Sequence, residues 1–244
     1  MIDHLVIFII LALLAEILGT VGGFGSSLFF VPIAGYFLDF HSVLGITAAF
    51  HICSNISKIA LFRHGFNKKL ILTVGVPAII FVIAGAILCR FFNNEVLQLV
   101  LSIFLVVIGG LLILFKNLKL KPTLFNSITG GAFSGFTAGL LGSGGAVRGL
   151  TLAAFNIEKN VFIATSAVID LGVDLSRGLV YFSNGYIHRH DLYLILILLV
   201  VSIAGTYAGK KLLRYFSESQ FRYFTLSLIL LIGLAGLFRH FSTV

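Results

Sequence analysis

The chain has 244 residues, of which 59% are hydrophobic and only 11% charged, and its mean hydropathy is +1.10. Soluble domains carry about 25% charged residues, so this composition excludes one and predicts an all-α polytopic membrane protein. The apolar runs are continuous rather than alternating, which excludes a β-barrel. The formal charge of +8 fits Lys and Arg held on cytoplasmic loops and does not point to nucleic acid.

Met1-Ile2-Asp3-His4 lacks the basic region of a cleavable signal, and no small-x-small site follows it. Residues 5–15 form an apolar run that Glu16 interrupts. At 1.5 Å per residue this run covers about half of a hydrocarbon core roughly 30 Å thick. Gly22-Gly23-Phe24-Gly25-Ser26-Ser27 comes next, and then a second apolar run, 27–38, that contains Pro32. Glycine permits sharp turns and close backbone approach; within apolar sequence it predicts a membrane helix broken between two short arms. The N–H groups freed by such a break must find partners or line a cavity. Longer spans are predicted at 43–62, 70–89 and 96–115, with linkers too short for a soluble domain. Cys53 and Cys89 lie inside apolar runs with no CxxC, as packing residues do, and no metal or cofactor is expected.

The plan then repeats. Residues 125–141 lead to Gly142-Ser143-Gly144-Gly145-Ala146, 147–155 is another short arm, and spans follow at 161–182, 192–208 and 221–238. Gly19, Gly22 and Gly25 fall opposite Gly139, Gly142 and Gly145, and Ala84-Gly85 falls opposite Ala204-Gly205. His51, Asn55 and Lys58 fall opposite Asp170, Asp174 and Arg177. The chain therefore divides into two repeats, 1–122 and 123–244, each a glycine-broken pair of short helices plus three transmembrane helices. Whether a pair crosses twice or not at all, each repeat crosses an odd number of times, so the repeats have inverted topology. One side collects Arg63, Lys68, Lys69, Lys116, Lys119, Lys121, Lys159, Lys210, Lys211 and Arg214, against Arg90, Arg189 and Arg239 on the other. That asymmetry makes the first side cytoplasmic and leaves both termini on the other.

An ionised side chain at the bilayer centre costs about 2.5–3.5 kcal/mol, so Glu16, Lys58, Arg148, Asp170, Asp174 and Arg177 need partners or a function. The two matched triplets each have i, i+4, i+7 spacing, which puts each on one helix face, turned into the bundle. Structural readings stand beside functional ones. Asp174 pairs with Arg177, Lys58 snorkels, His51 packs, and Glu16 meets a buried cation. On the functional reading, Glu16, His51, Asn55, Lys58, Asp170, Asp174 and Arg177 are gating or coupling candidates. Glu16 and His51 then handle protons, while Lys58 and Arg177 attract an anion at opposite mouths. Arg148 follows the second break by three residues, in the first turn of an arm, where the helix dipole disfavours a cation unless an anion is near. Free N–H groups at both breaks offer an anion cradle, and a guanidinium adds bidentate geometry. The expected substrate-binding residues are thus Gly22, Gly23, Gly25, Ser26, Gly142, Ser143, Gly144, Gly145 and Arg148. The alternative for Arg148 is a structural pair with Glu16 or Asp170.

Gly19-x-x-Gly22-Gly23-Phe24-Gly25 followed by Val31-Pro32, and Gly139-x-x-Gly142-Ser143-Gly144-Gly145, resemble the paired glycine signatures of the TauE/SafE sulfite exporter (TSUP) family. So does Thr165-Ser166 ahead of a helix ending in Tyr181-Phe182-x-x-Gly185. The resemblance covers nearly the whole chain. It departs at Phe24, where a third glycine is common, and at Leu152, which stands where the first repeat has Pro32. It implies a prokaryotic inner-membrane carrier that exports sulfite, a sulfonate or a related sulfur anion, with the breaks as its binding region. An inside-negative potential favours anion exit by about 2.3 kcal/mol per charge per 100 mV. The alternatives are an uptake carrier for sulfonate or thiosulfate, an anion channel, and an intramembrane hydrolase with Ser143 as nucleophile and His51 as base.

Overall fold

The computed structural model describes residues 2–23, 25–62, 65–114, 121–213, 215 and 218–243. Phe24, Arg63, Lys116, Lys119 and Arg214 lie outside the described residues. All regular structure among the described residues is helical. The first half comprises α1 (Ile2–Gly22), α2 (Ser27–Ala34), α3 (Phe40–Leu61), α4 (Lys68–Cys89) and α5 (Asn94–Leu114). The second comprises α6 (Leu124–Leu141), α7 (Gly145–Ala153), α8 (Lys159–Ser183), α9 (Leu192–Leu212) and α10 (Glu218–Thr243). A π-helical turn, Ile71–Gly75, lies within α4. Six windows, in α1, α3, α4, α5, α9 and α10, are long and apolar enough to cross a membrane. Leu72, Leu196 and Val200 on their outer faces are largely exposed, an arrangement suited to lipid. The chain is therefore a multi-pass membrane protein.

The first arm differs from expectation. α1 does not stop at Glu16 but runs unbroken for 21 residues, about 31 Å at 1.5 Å per residue. A carboxylate inside an apolar run ends a membrane helix only where it lacks partners, and Glu16 has several. The corresponding α6 has 18 residues. Each break therefore joins a long helix to a short one, and only α2, with 8 residues, and α7, with 9, are short arms. Gly142, at φ 72°, closes α6 in the left-handed conformation that favours glycine at a helix end. At the other ends, Asp39 caps α3 by accepting from the Ser42 N–H at 3.0 Å, and Thr123 caps α6.

Close helix pairs fix the scaffold. Gly131, Gly135 and Gly139 of α6 lie on the carbonyls of Val74, Ala78 and Val82 of α4, where a Cβ would overlap those oxygens. Contacts advance by four residues on both helices, so the two run parallel. Gly205 and Gly209 of α9 make room for the Glu16 and Thr20 side chains of α1, and this pair is parallel too. Small residues let membrane helices approach to backbone contact, where dispersion replaces the missing hydrophobic drive. α5 packs on α10, and α3 packs on α8. Between these pairs sits α2, whose Leu28, Phe29, Phe30 and Val31 are all buried.

Candidate functional site

Both glycine breaks reach one buried place. The start of α2 lies against α1 because Gly19 has no side chain; a Cβ there would overlap the backbone of Ser26. Gly25, at φ 83°, turns the chain into α2. At the second break, Gly144 rests on the Ser134 carbonyl, and the Ser134 hydroxyl donates to the Gly144 carbonyl at 2.9 Å. α2 and α7 then lie side by side. A Cβ added to Gly25 would touch the Arg148 guanidinium, and one added to Gly142 would press on Val31.

A cavity of about 20 Å³ lies between the breaks. Gly25, Ser26, Ser27, Gly142, Gly144 and Gly145 line it, together with His51, Asn55, Lys58, Arg148, Asp170, Asp174 and Arg177. That volume holds about one water molecule, so the gap between the breaks is too narrow for an oxyanion. A second space of about 20 Å³ shares Gly25, Asn55, Lys58 and Asp170 with the first, and Gly23 and Ser166 also line it. Neither space is lined by Gly22 or Ser143. The Ser143 hydroxyl is buried and makes no hydrogen bond.

Every charged side chain at the site is paired. Lys58 Nζ lies 2.9 Å from Glu16 Oε1 and donates to Ser54 Oγ at 2.6 Å. Glu16 is fully buried and accepts hydroxyls from Ser54 at 2.5 Å, Ser26 at 2.6 Å and Thr206 at 3.0 Å. Arg148 is ion-paired with Asp170, and its Nε donates to Ser166 Oγ at 2.9 Å. Arg177 is bound to Asp174 through Nε at 2.8 Å and Nη2 at 2.6 Å, and its Nη1 donates to the Ala138 carbonyl at 3.1 Å. Asn55 Nδ2 donates to the other Asp174 oxygen at 2.7 Å. His51 joins the groups, with Nε2 2.9 Å from Ser26 Oγ and Nδ1 3.3 Å from Arg177 Nη2.

Several sequence expectations are sharpened by this geometry. Of the two structural partners considered for Arg148, Asp170 is the one it meets. Lys58 does not snorkel, and Lys58 and Arg177 do not stand at opposite mouths. Both are buried and line the same cavity, because α3 and α8 pack face to face. Ser54 and Thr206 escape sequence reasoning, and Ser166, noted within the family signature, receives no role there. Ser54 lies four residues before Lys58 on its helix face and is recoverable from spacing, whereas Thr206 lies 190 residues from Glu16 and left no local signal. A larger cavity of about 370 Å³ opens beyond α2, lined by Val31, Pro32, Tyr36, Gln98 and Arg239 among others.

A family model described as sulfite exporter TauE/SafE matches residues 8–236. No curated protein and no solved structure matches the chain.

Proposed function

The chain belongs to the TauE/SafE sulfite exporter family, and on that premise we propose that it is a secondary carrier for a small sulfur-containing anion, sulfite or an organosulfonate. The observation that carries this reading is that two glycine breaks, far apart in sequence, line one buried cavity beside Arg148. Gly25, Ser26, Gly142, Gly144 and Gly145 supply N–H groups and room, and Arg148 supplies a directed guanidinium. Gly22 and Gly23 shape the first turn, and Ser143 offers a hydroxyl that has no partner at present. Broken helices that meet near the bilayer midplane are the usual construction of carrier sites.

The same reading makes residues 1–122 and 123–244 inverted repeats. In its support, α1 lies parallel to α9, and α4 lies parallel to α6. With α1 equivalent to α6 and α4 to α9, each contact is the other with the halves exchanged. The cytoplasmic side is then the one that carries Lys68, Lys69, Lys121, Lys159, Lys210 and Lys211, in an inner membrane. The narrow cavity belongs to a substrate-free form, and a substrate-filled form has α2 and α7 further apart. A hydrolase finds less support, because both His51 nitrogens are engaged by Ser26 and Arg177 and no base meets Ser143.

Sulfite flux into and out of proteoliposomes tests the carrier. Wild-type protein moves sulfite, and Gly145→Val and Arg148→Ala abolish the flux while remaining monodisperse. Unimpaired flux by both variants would remove the proposed site, and unitary currents in planar bilayers would replace the carrier with a channel.

A further inference from the structure

The charged side chains lining the site, counted together with their ion-pair partners, sum to zero. Glu16 is matched by Lys58, Asp170 by Arg148 and Asp174 by Arg177. An anion added to this set brings one negative charge among buried side chains, where an uncompensated charge is heavily penalised. Helix ends offer only partial charges. A counter-charge must therefore arrive with the anion. Among the described titratable side chains lining the cavity, His51 is the one with no oppositely charged partner against it.

The hydrogen bonds of His51 fix where its proton sits. The Glu16 carboxylate only accepts, so Ser26 spends its single hydrogen on Oε2. Ser26 Oγ must then accept from His51, which puts the ring hydrogen on Nε2. At the other nitrogen, the Arg177 guanidinium only donates, so Nδ1 presents a lone pair. Two independent neighbours thus assign the same neutral tautomer. The vacant position for a further proton is Nδ1, and it faces Arg177 Nη2.

We infer that the carrier described above moves its anion together with one proton, bound at His51 Nδ1, and that the anion sits between that new N–H and Arg177. Protonation sets two donors against each other across 3.3 Å, a conflict that an inserted oxygen relieves by accepting from both. Arg177 stays in place meanwhile, held by Asp174 and the Ala138 carbonyl. The proton comes from water on the entry side and leaves to water on the exit side, so a monoanion crosses as a neutral pair. The charged groups around His51 are Lys58 on its own helix, Glu16 of α1 behind Ser26, Arg148 of α7, and Asp170, Asp174 and Arg177 of α8. From α5 and α9, which also pack on α3, no side chain lines the cavity. This inference rests on the carrier reading.

Proton uptake on binding tests it. The purified full-length protein is titrated with ethanesulfonate, which remains a monoanion near neutral pH, and with sulfite, by calorimetry in buffers of different ionisation enthalpy. Wild-type protein takes up about one proton per ethanesulfonate bound, and its affinity falls by about tenfold per pH unit once His51 is neutral in the free protein. His51→Gln takes up none and binds with a flat pH profile. Binding by the wild type without proton uptake overturns the inference and leaves the carrier standing, as does undiminished uptake by His51→Gln. If neither anion binds, the carrier reading falls and takes the inference with it. Should His51→Gln fail to fold, the wild-type proton count decides alone.

Discussion

Two helix pairs cross the middle of this protein and are joined by opposite chemistries. α4 and α6 meet through Gly131, Gly135 and Gly139 laid against backbone carbonyls. α3 and α8 meet through Asn55 and His51 on one side and Asp174 and Arg177 on the other. The first junction is dry and apolar, and a bilayer asks nothing further of it. The second takes ionised groups out of water, a cost that apolar residues of similar size would avoid. A membrane protein keeps such groups where they have work to do, so the contrast separates the frame from the working part.

The contrast is broken most severely at the ionic junction. Asp174→Ala leaves the Arg177 guanidinium buried without its anion, and loss of one partner of a buried pair costs about 3–5 kcal/mol. Thermal unfolding in detergent should register it as the largest drop of the set, and an unchanged midpoint would mean that the pair is dispensable. Gly135→Val attacks the dry junction by pushing a branched side chain into the Ala78 carbonyl. Overpacking of this kind costs about 1–3 kcal/mol, measured in the same assay, and a neutral result would show that α4 and α6 yield easily.

Two milder changes sharpen the comparison. Asp170→Asn keeps a hydrogen-bonding group beside Arg148 but removes its counter-charge. Sulfite binding should tighten by about tenfold, or ~1.4 kcal/mol, and weaker binding would show that Asp170 serves Arg148 chiefly by holding its orientation. Ser143→Ala removes a buried hydroxyl that has no hydrogen bond, so stability should move by no more than about 0.5 kcal/mol. A drop as large as that of Gly135→Val would show that the hydroxyl is engaged.

The ionic junction was more legible in the sequence than the dry one. The i, i+4, i+7 spacing of His51-Asn55-Lys58 and of Asp170-Asp174-Arg177 put each set on one face, and those faces do meet. Partner choice was not legible. Lys58 pairs with Glu16 of α1 and not with an acid of the facing helix, and Arg148 meets Asp170 rather than Glu16, because the placing of α1 and α7 is decided by distant packing. The length of α1 was misjudged for the same reason, since the groups that allow a carboxylate inside it come from α2, α3 and α9. The repeated glycine motifs mark the breaks, but nothing local shows how narrow the space between them is.

The glycine-on-carbonyl mesh also limits how the molecule moves. Along α4 and α6 the teeth recur every four residues, so sliding one helix by a single residue, about 1.5 Å, drives a side chain into an oxygen. The two helices therefore travel as one plank, and α1 with α9, where Gly205 and Gly209 receive the Glu16 and Thr20 side chains, forms another. Each plank takes one helix from each half of the chain. Rocking residues 1–122 against 123–244 as whole blocks would tear both planks apart, so the hinge lines of this protein run across its sequence halves and not between them.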